Sequence, residues 1–168
     1  MSQSVTEKVV HAFITSRLDS CNALLCGSSH GLLHRLQRVQ NSAARLVTLA
    51  RKRSHITPVL KELHWLPVQQ RVQYKVLLLA YKALKGLAPE YLSELLTVYQ
   101  PRRNLRSCES QQLVIPRTSM ITCGDRAFRK QAPFLWNQLP LDVKQASSTE
   151  QFKQRLKTHL FKIAFSDM

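Results

Sequence analysis

Acidic residues are scarce in this sequence: ten Asp and Glu stand against 25 Lys and Arg, a formal net charge of +15 over 168 residues. The shortage argues against whole classes of chemistry. Two-metal phosphoryl and nucleotidyl transfer need carboxylates converging on divalent ions. Here Asp19, Asp125, Asp142 and Asp167 are scattered, no Asp-Asp pair occurs, and the six glutamates spread from Glu7 to Glu150. Glycine is rarer still, at four residues, and no Gly-rich phosphate loop exists. No catalytic centre and no cofactor are expected; the residual alternative is a Cys21 or Cys26 nucleophile with a histidine base.

Paired cysteine motifs are absent too. Cys21 and Cys26 are five apart, Cys108 is distant, and Cys123 lies another fifteen residues on, so no Cys-x-x-Cys pair forms. The six histidines offer no matching ligand pair on this reading, which argues against zinc. Reduced, mostly buried thiols of an intracellular protein are expected instead. Long apolar runs are missing as well. The longest, Val76 to Tyr81, falls far short of the roughly 20 residues of a spanning helix. The start MSQSVTEKVV carries no apolar signal core, so the expected location is nucleus or cytoplasm, not secreted and not membrane-bound.

What the chain does have is helical periodicity. Val9, Val10, Phe13, Ile14, Leu18, Cys21, Leu24 and Leu25 recur at spacings of three and four, predicting one amphipathic helix from Val5 to about Leu25, ending near Gly27. Leu32, Leu36, Val39, Ala43, Leu46 and Ala50 form the apolar stripe of a second helix, the other arm of a helical hairpin. Thr57-Pro58 reads as an N-cap with proline at the first helical position, opening a short helix through about Leu63. From Pro67, the face Val68, Val72, Val76, Leu79, Ala80 and Ala83 predicts a central apolar helix that Gly86 ends. Pro89 opens a short helix around Tyr91 to Leu96. Ser148 with Gln151 makes a capping-box pattern before the last helix, and Pro133 should kink or split the segment Asp125 to Leu139. The expected fold is mostly α, a multi-helix bundle built on the hairpin and the central apolar helix. A small β-hairpin near 113–123 is expected, from Leu113-Val114-Ile115 and Ser119 to Cys123. The division expected is a helical domain over 1–100 and a C-terminal extension over 101–168.

The cations are unevenly placed. No carboxylate occurs between Asp19 and Glu62, a stretch holding Arg35, Arg38, Arg45, Arg51, Lys52, Arg53 and Lys61. Arg38, Arg45 and Lys52 are seven apart and would nearly superimpose on one continuous helix, giving a cationic ridge. Such a ridge suits phosphates, each neutralised phosphate releasing condensed counterions, and Arg adds a fork matching two phosphate oxygens. The competing reading is a solvated helix face. Arg51-Lys52-Arg53 also has the composition of a short nuclear-import patch. Trp65 and Trp136, each near leucine and proline, are read as corner anchors of the core, with base stacking as the alternative. The four tyrosines are read as packing residues.

Seven separated blocks carry a family resemblance. HAFITSRLDSCNALLCG, LQRVQNSAARLVT, RKRSHITPVLKELHWLPV, YKALKGLAPEYL, LRSCESQQLVIPRT, GDRAFRKQAPFLWNQLP and FKQRLKTHLFKIAF occur here in order. Together they closely resemble the region downstream of the active site in the reverse transcriptases of LINE-type non-LTR retrotransposons, with Ser20 where that family usually has tyrosine. The resemblance implies a thumb and C-terminal extension that grips an RNA-DNA duplex or RNA without reading bases. It implies no catalysis, because the fingers, the paired palm aspartates and the endonuclease have no counterpart among these residues. The implied grip on nucleic acid agrees with the charge pattern, which independently gives Arg35, Arg38, Arg45, Arg51, Lys52 and Arg53 as the expected contacts. Two rival readings stand beside it. One is a helical interaction module binding a protein partner or itself through apolar surface around Val9, Phe13 and Leu18. The other is a transposon relic without selected function.

Overall fold

The computed structural model describes residues 3–101, 111–118 and 124–166. Nine α-helices appear among them: α1 (Gln3–Val10), α2 (Ser16–Asp19), α3 (His30–Thr48), α4 (Ile56–Glu62), α5 (Val68–Leu84), α6 (Glu90–Ser93), α7 (Phe128–Asn137), α8 (Leu141–Lys144) and α9 (Thr149–Phe165). The fold is mostly α, as the periodicity predicts. The chain divides into two compact units, Met1–Val72 with His159–Met168, and Gln73–Thr158. A boundary at residue 100 therefore falls inside the second unit. Sequence alone places domains along the chain, whereas α9 leaves one unit and finishes in the other.

In the first unit, α1 passes through a wider π-type turn, His11–Thr15, into α2 and stops at Asp19. It does not reach Gly27. Cys21 takes a left-handed conformation and a 3-10 turn, Asn22–Leu25, follows, which leaves Leu24 exposed. The break has a cause in polar bonding. Both oxygens of Asp19 accept from Arg71 Nη1, at 3.0 and 2.8 Å, and Asp19 also accepts from Asn22 at 3.4 Å.

Helix α3 turns inward a face rotated from the expected stripe, sharing Ala43 with it and leaving Leu36 and Ala50 half-buried. Gln40, Ala43, Ala44 and Val47 are buried, while Leu32, Val39 and Leu46 of the expected stripe are exposed. Small side chains let the backbone approach the core of Val10, Val59, Leu60, Trp65 and Phe165. Gln40 is tolerated there because its Nε2 donates to Leu66 O at 2.8 Å, so the buried amide is satisfied. Gln37 Oε1 accepts from Val68 N at 2.8 Å, capping one of the orphan amides that open α5. Arg71 Nε donates to the same Leu66 O at 3.0 Å. The Trp65-Leu66-Pro67 corner is thus fixed by burial of Trp65 and Leu66 and by three polar side chains. Helix α4 begins one residue before Thr57, with His55 at its N-cap. Pro58 is therefore the third helical residue rather than the first, still within the first turn, where a missing N–H costs little.

The second unit is built on the inner part of α5, where Val76, Leu77, Ala80, Tyr81 and Ala83 are buried. Gly86, at φ 67°, ends that helix, and Leu87 N closes it by donating to Lys82 O at 2.8 Å. Phe152 of α9 stacks on Tyr81 at 4.1 Å between ring centroids and on Trp136 of α7 at 6.0 Å. Tyr91 and Tyr99, by contrast, are exposed rather than packed. Helix α7 starts at Phe128 and runs through a buried Pro133 without being split. Ser148 Oγ accepts from Gln151 N at 3.2 Å as its pattern predicts, while Gln151 Oε1 reaches one residue further back, to Ser147 N at 2.8 Å.

The expected hairpin over 113–123 does not form among the described residues, and Ser119 to Cys123 lie outside them. Leu113 pairs instead with Val98 in one antiparallel bridge, and the Asn137 side chain holds both its N–H and its carbonyl, at 2.8 and 2.9 Å. A short strand finds its partner by tertiary proximity, which a run of three apolar residues cannot specify.

A surface tie at the start of α7 is open to titration. Asp125 accepts from Lys130 and Thr118, and these bonds hold its carboxyl below the ordinary aspartate range. A depressed carboxylate adds stability above its unfolded pKa of about 3.9 and loses it as pH falls through the lower folded value. We expect the Asp125 carboxyl carbon, followed by NMR, to titrate with a midpoint below about 3.9 and the Lys130 contact to persist at pH 5. A midpoint at or above that value would show the tie to be absent in solution.

Candidate nucleic-acid interface

The six expected contact residues all fall in the first unit, but they do not make one ridge. Arg35 and Arg38 are exposed on α3. At about 100° per residue they project within roughly 60° of each other, away from the face that carries Gln40, Ala43, Ala44 and Val47. Helix α3 then ends at Thr48, with Leu49 in the left-handed region at φ 55°. Lys52 is therefore off the helix, and the seven-residue superposition with Arg38 and Arg45 is lost.

Arg45 is half-buried and structurally engaged. Its Nη2 donates to Ser54 O at 3.2 Å, and its main-chain carbonyl accepts from Ala50 N at 3.1 Å. The side chain thus ties the segment after α3 back onto the helix. That segment closes a turn through Ser54 N donating to Arg51 O at 3.0 Å. Arg51, Lys52, Arg53 and His55 are all exposed on it. The geometry yields two cationic groups on one unit: Arg35 and Arg38 on the helix, and the Arg51-Lys52-Arg53 turn past its C-terminus.

Other basic residues have different work. Arg71 is committed to Asp19, and Lys61 lies 5.6 Å above the Phe165 ring. Lys8 and Arg17 are exposed cations of the same unit that lie outside the acid-free stretch and so escaped the pattern. No carboxylate lies on α3, on the turn after it, or in α4 before Glu62. Phosphate oxygens approaching this side meet no fixed negative charge from those elements.

Of the aromatics considered for stacking, Trp65 and Trp136 are both buried, which fits core anchors. Trp65 packs edge-on to His11 at 5.6 Å. His64 is stacked on Phe161 at 5.9 Å, with Nδ1 against Glu62 O at 3.1 Å. Cys21 is exposed and Cys26 buried, with its thiol pushed up by desolvation. His30 and His34 stand one turn apart on α3 and stack at 6.3 Å, a pairing that the spacing of four already contained. Among the described residues no three His, Cys, Asp or Glu side chains gather in a group able to hold a metal ion. The carboxylates in ion pairs are dispersed: Glu7 with His11, Asp19 with Arg71, Asp125 with Lys130, Glu150 with Lys153. No described helix is long and apolar enough to cross a membrane.

Against this geometry, no protein-family model, curated protein or solved structure matches the chain.

Proposed function

We propose that this chain is a non-catalytic nucleic-acid-binding module, the counterpart of the thumb and C-terminal extension of a LINE-type reverse transcriptase, holding RNA or an RNA-DNA duplex by its phosphates. The observation that carries the reading is the exposed Arg51-Lys52-Arg53 turn, with Arg35 and Arg38 on α3, on elements free of carboxylates. The seven-block likeness supplies the polymer class; the charge geometry supplies the means. Five exposed cations without base-reading partners would bind phosphates in any sequence.

A second reading, association through apolar surface, is favoured by the exposure of Phe13, Leu24, Leu46 and Leu49. One experiment separates the two. Binding of a labelled RNA-DNA duplex, followed by fluorescence anisotropy across a salt series, should weaken steeply. The expected log-log slope is about −2 to −4.5, from roughly 0.9 per phosphate contact. Apolar association would be flat in salt or strengthen with it. A flat response, or no binding near 50 mM salt, rejects the nucleic-acid reading.

A further inference from the structure

The second unit contains a cavity of about 300 Å³ that the proposed function does not use. Its walls include Tyr81, Tyr99 and Trp136, and two lysines, Lys85 and Lys144, line it with no carboxylate among the described lining residues. Gln111 closes another side, where its carbonyl accepts from Trp136 Nε1 at 2.8 Å.

We propose that this cavity is a binding site for a small planar anion, a flat ring bearing a carboxylate or a phosphate. The exposed Tyr99 ring offers a surface for a flat, polarisable body, while Tyr81 and Trp136, each only 2% exposed, back the wall. The two ammonium groups define the charge of the guest. Lys85 is exposed, with Nζ 5.9 Å from the Tyr81 ring centroid, so the cation sits over the same aromatic wall that the guest would contact. Lys144, at the end of α8, is only 5% exposed. Burial disfavours its charged form and pulls its pKa down. An anion in the cavity would favour the charged form again, through an attraction that the local dielectric screens less than water does. The volume stands at the small end of ligand sites, which suits one or two fused rings with a single charged group.

The site is independent of the nucleic-acid reading, since every lining residue lies in the second unit and the cationic turn lies in the first. The test uses the intact chain and amide NMR with four probes: adenosine monophosphate, indole-3-carboxylate, neutral indole and inorganic phosphate. Saturable shifts at lining residues are expected for one or both ring-bearing anions, with Kd of about 10 μM to 1 mM for ligands of this size. The two anions differ in source, and whichever binds tighter names it. Neutral indole and phosphate alone should bind at least about tenfold more weakly, because each offers half of the recognised chemistry. Exposed Lys85→Met keeps the fold and should cost the anions about tenfold or more, and Lys144→Met, similar in volume, a comparable loss. No saturable shift by about 10 mM, equal binding of neutral indole, or unchanged affinity in Lys85→Met overturns the proposal. Should Lys144→Met disturb the amide spectrum as a whole, Lys85→Met alone decides.

Discussion

Phe152→Ala should be the most damaging single substitution in the second unit, costing about 3–5 kcal/mol. Phe152 is fully buried and lies against Tyr81 and Trp136 at once. Truncation removes the area of one ring and leaves a cavity that its rigid neighbours cannot collapse into. Each aromatic pair adds about 0.5–1.5 kcal/mol beyond area burial. The Tyr81 ring also depends on this arrangement, since its hydroxyl donates to Ala146 O at 3.1 Å in the buried corner before α9. Against a typical total of about 5–15 kcal/mol, the loss is a large fraction of domain stability. The expected Tm decrease is about 6–20 °C at 2–4 °C per kcal/mol. Each unit holds one tryptophan, so Trp65→Phe leaves Trp136 as the reporter of the second. In that background urea unfolding should show a lower midpoint for Phe152→Ala, and Phe152→Leu should fall between. A loss under about 1 kcal/mol would mean that the three-ring stack does not hold this unit.

Neutralising the turn past α3 should weaken nucleic-acid binding more than any other surface change. Replacing Arg51, Lys52 and Arg53 together by glutamine removes three exposed charges that make no side-chain hydrogen bond or ion pair among the described residues. Stability should move little, since surface substitutions away from special features stay within about 0.5 kcal/mol each. Each lost phosphate contact reduces the salt slope by about 0.9. Near 0.1 M salt that is about tenfold in affinity per contact, so the triple variant should lose up to about 10²–10³-fold. Arg45→Gln should behave otherwise. Its guanidinium is spent on Ser54 O, so its loss should loosen the turn while lowering the salt slope least. If the triple variant kept the parent slope, the phosphates would have to lie elsewhere, and Lys8, Arg17 and Arg35 would be the next positions to change.

The two units also show which readings a linear pattern supports. Apolar spacing and punctuation together located α5 and α9, but not the end of the first helix, which stops at Asp19 short of the Gly27 signal. The α5 periodicity, the Gly86 stop and the Ser148 cap all depend on residues within a few positions of one another, and local geometry settles them. The candidate site was legible only as composition. Arg35, Arg38 and the Arg51 to Arg53 turn could be found because the missing carboxylates are visible without coordinates. Their arrangement could not, because one left-handed residue, Leu49, ends the helix that a seven-residue spacing assumes to continue. The lysine-aromatic cavity of the second unit gave no linear signal at all: its lining runs from Tyr81 to Lys144 in sequence.

By itself the sequence determined the helical class, the central apolar helix, the core role of both tryptophans and the surplus of positive charge. Those follow from side-chain transfer energies, period and count, which do not depend on what lies across the core. Tertiary structure alone decided which side of α3 is buried. Leu32, Val39 and Leu46 argue for one face, yet Ala43 and Ala44 allow closer approach and Gln40 finds Leu66 O beside them, so the buried face is rotated round the helix from that stripe and shares Ala43 with it. It also decided that Asp19 ends a helix by meeting Arg71, and that Arg45 serves the fold rather than the ridge. A polar group settles where its partner is, and the partner is often far along the chain.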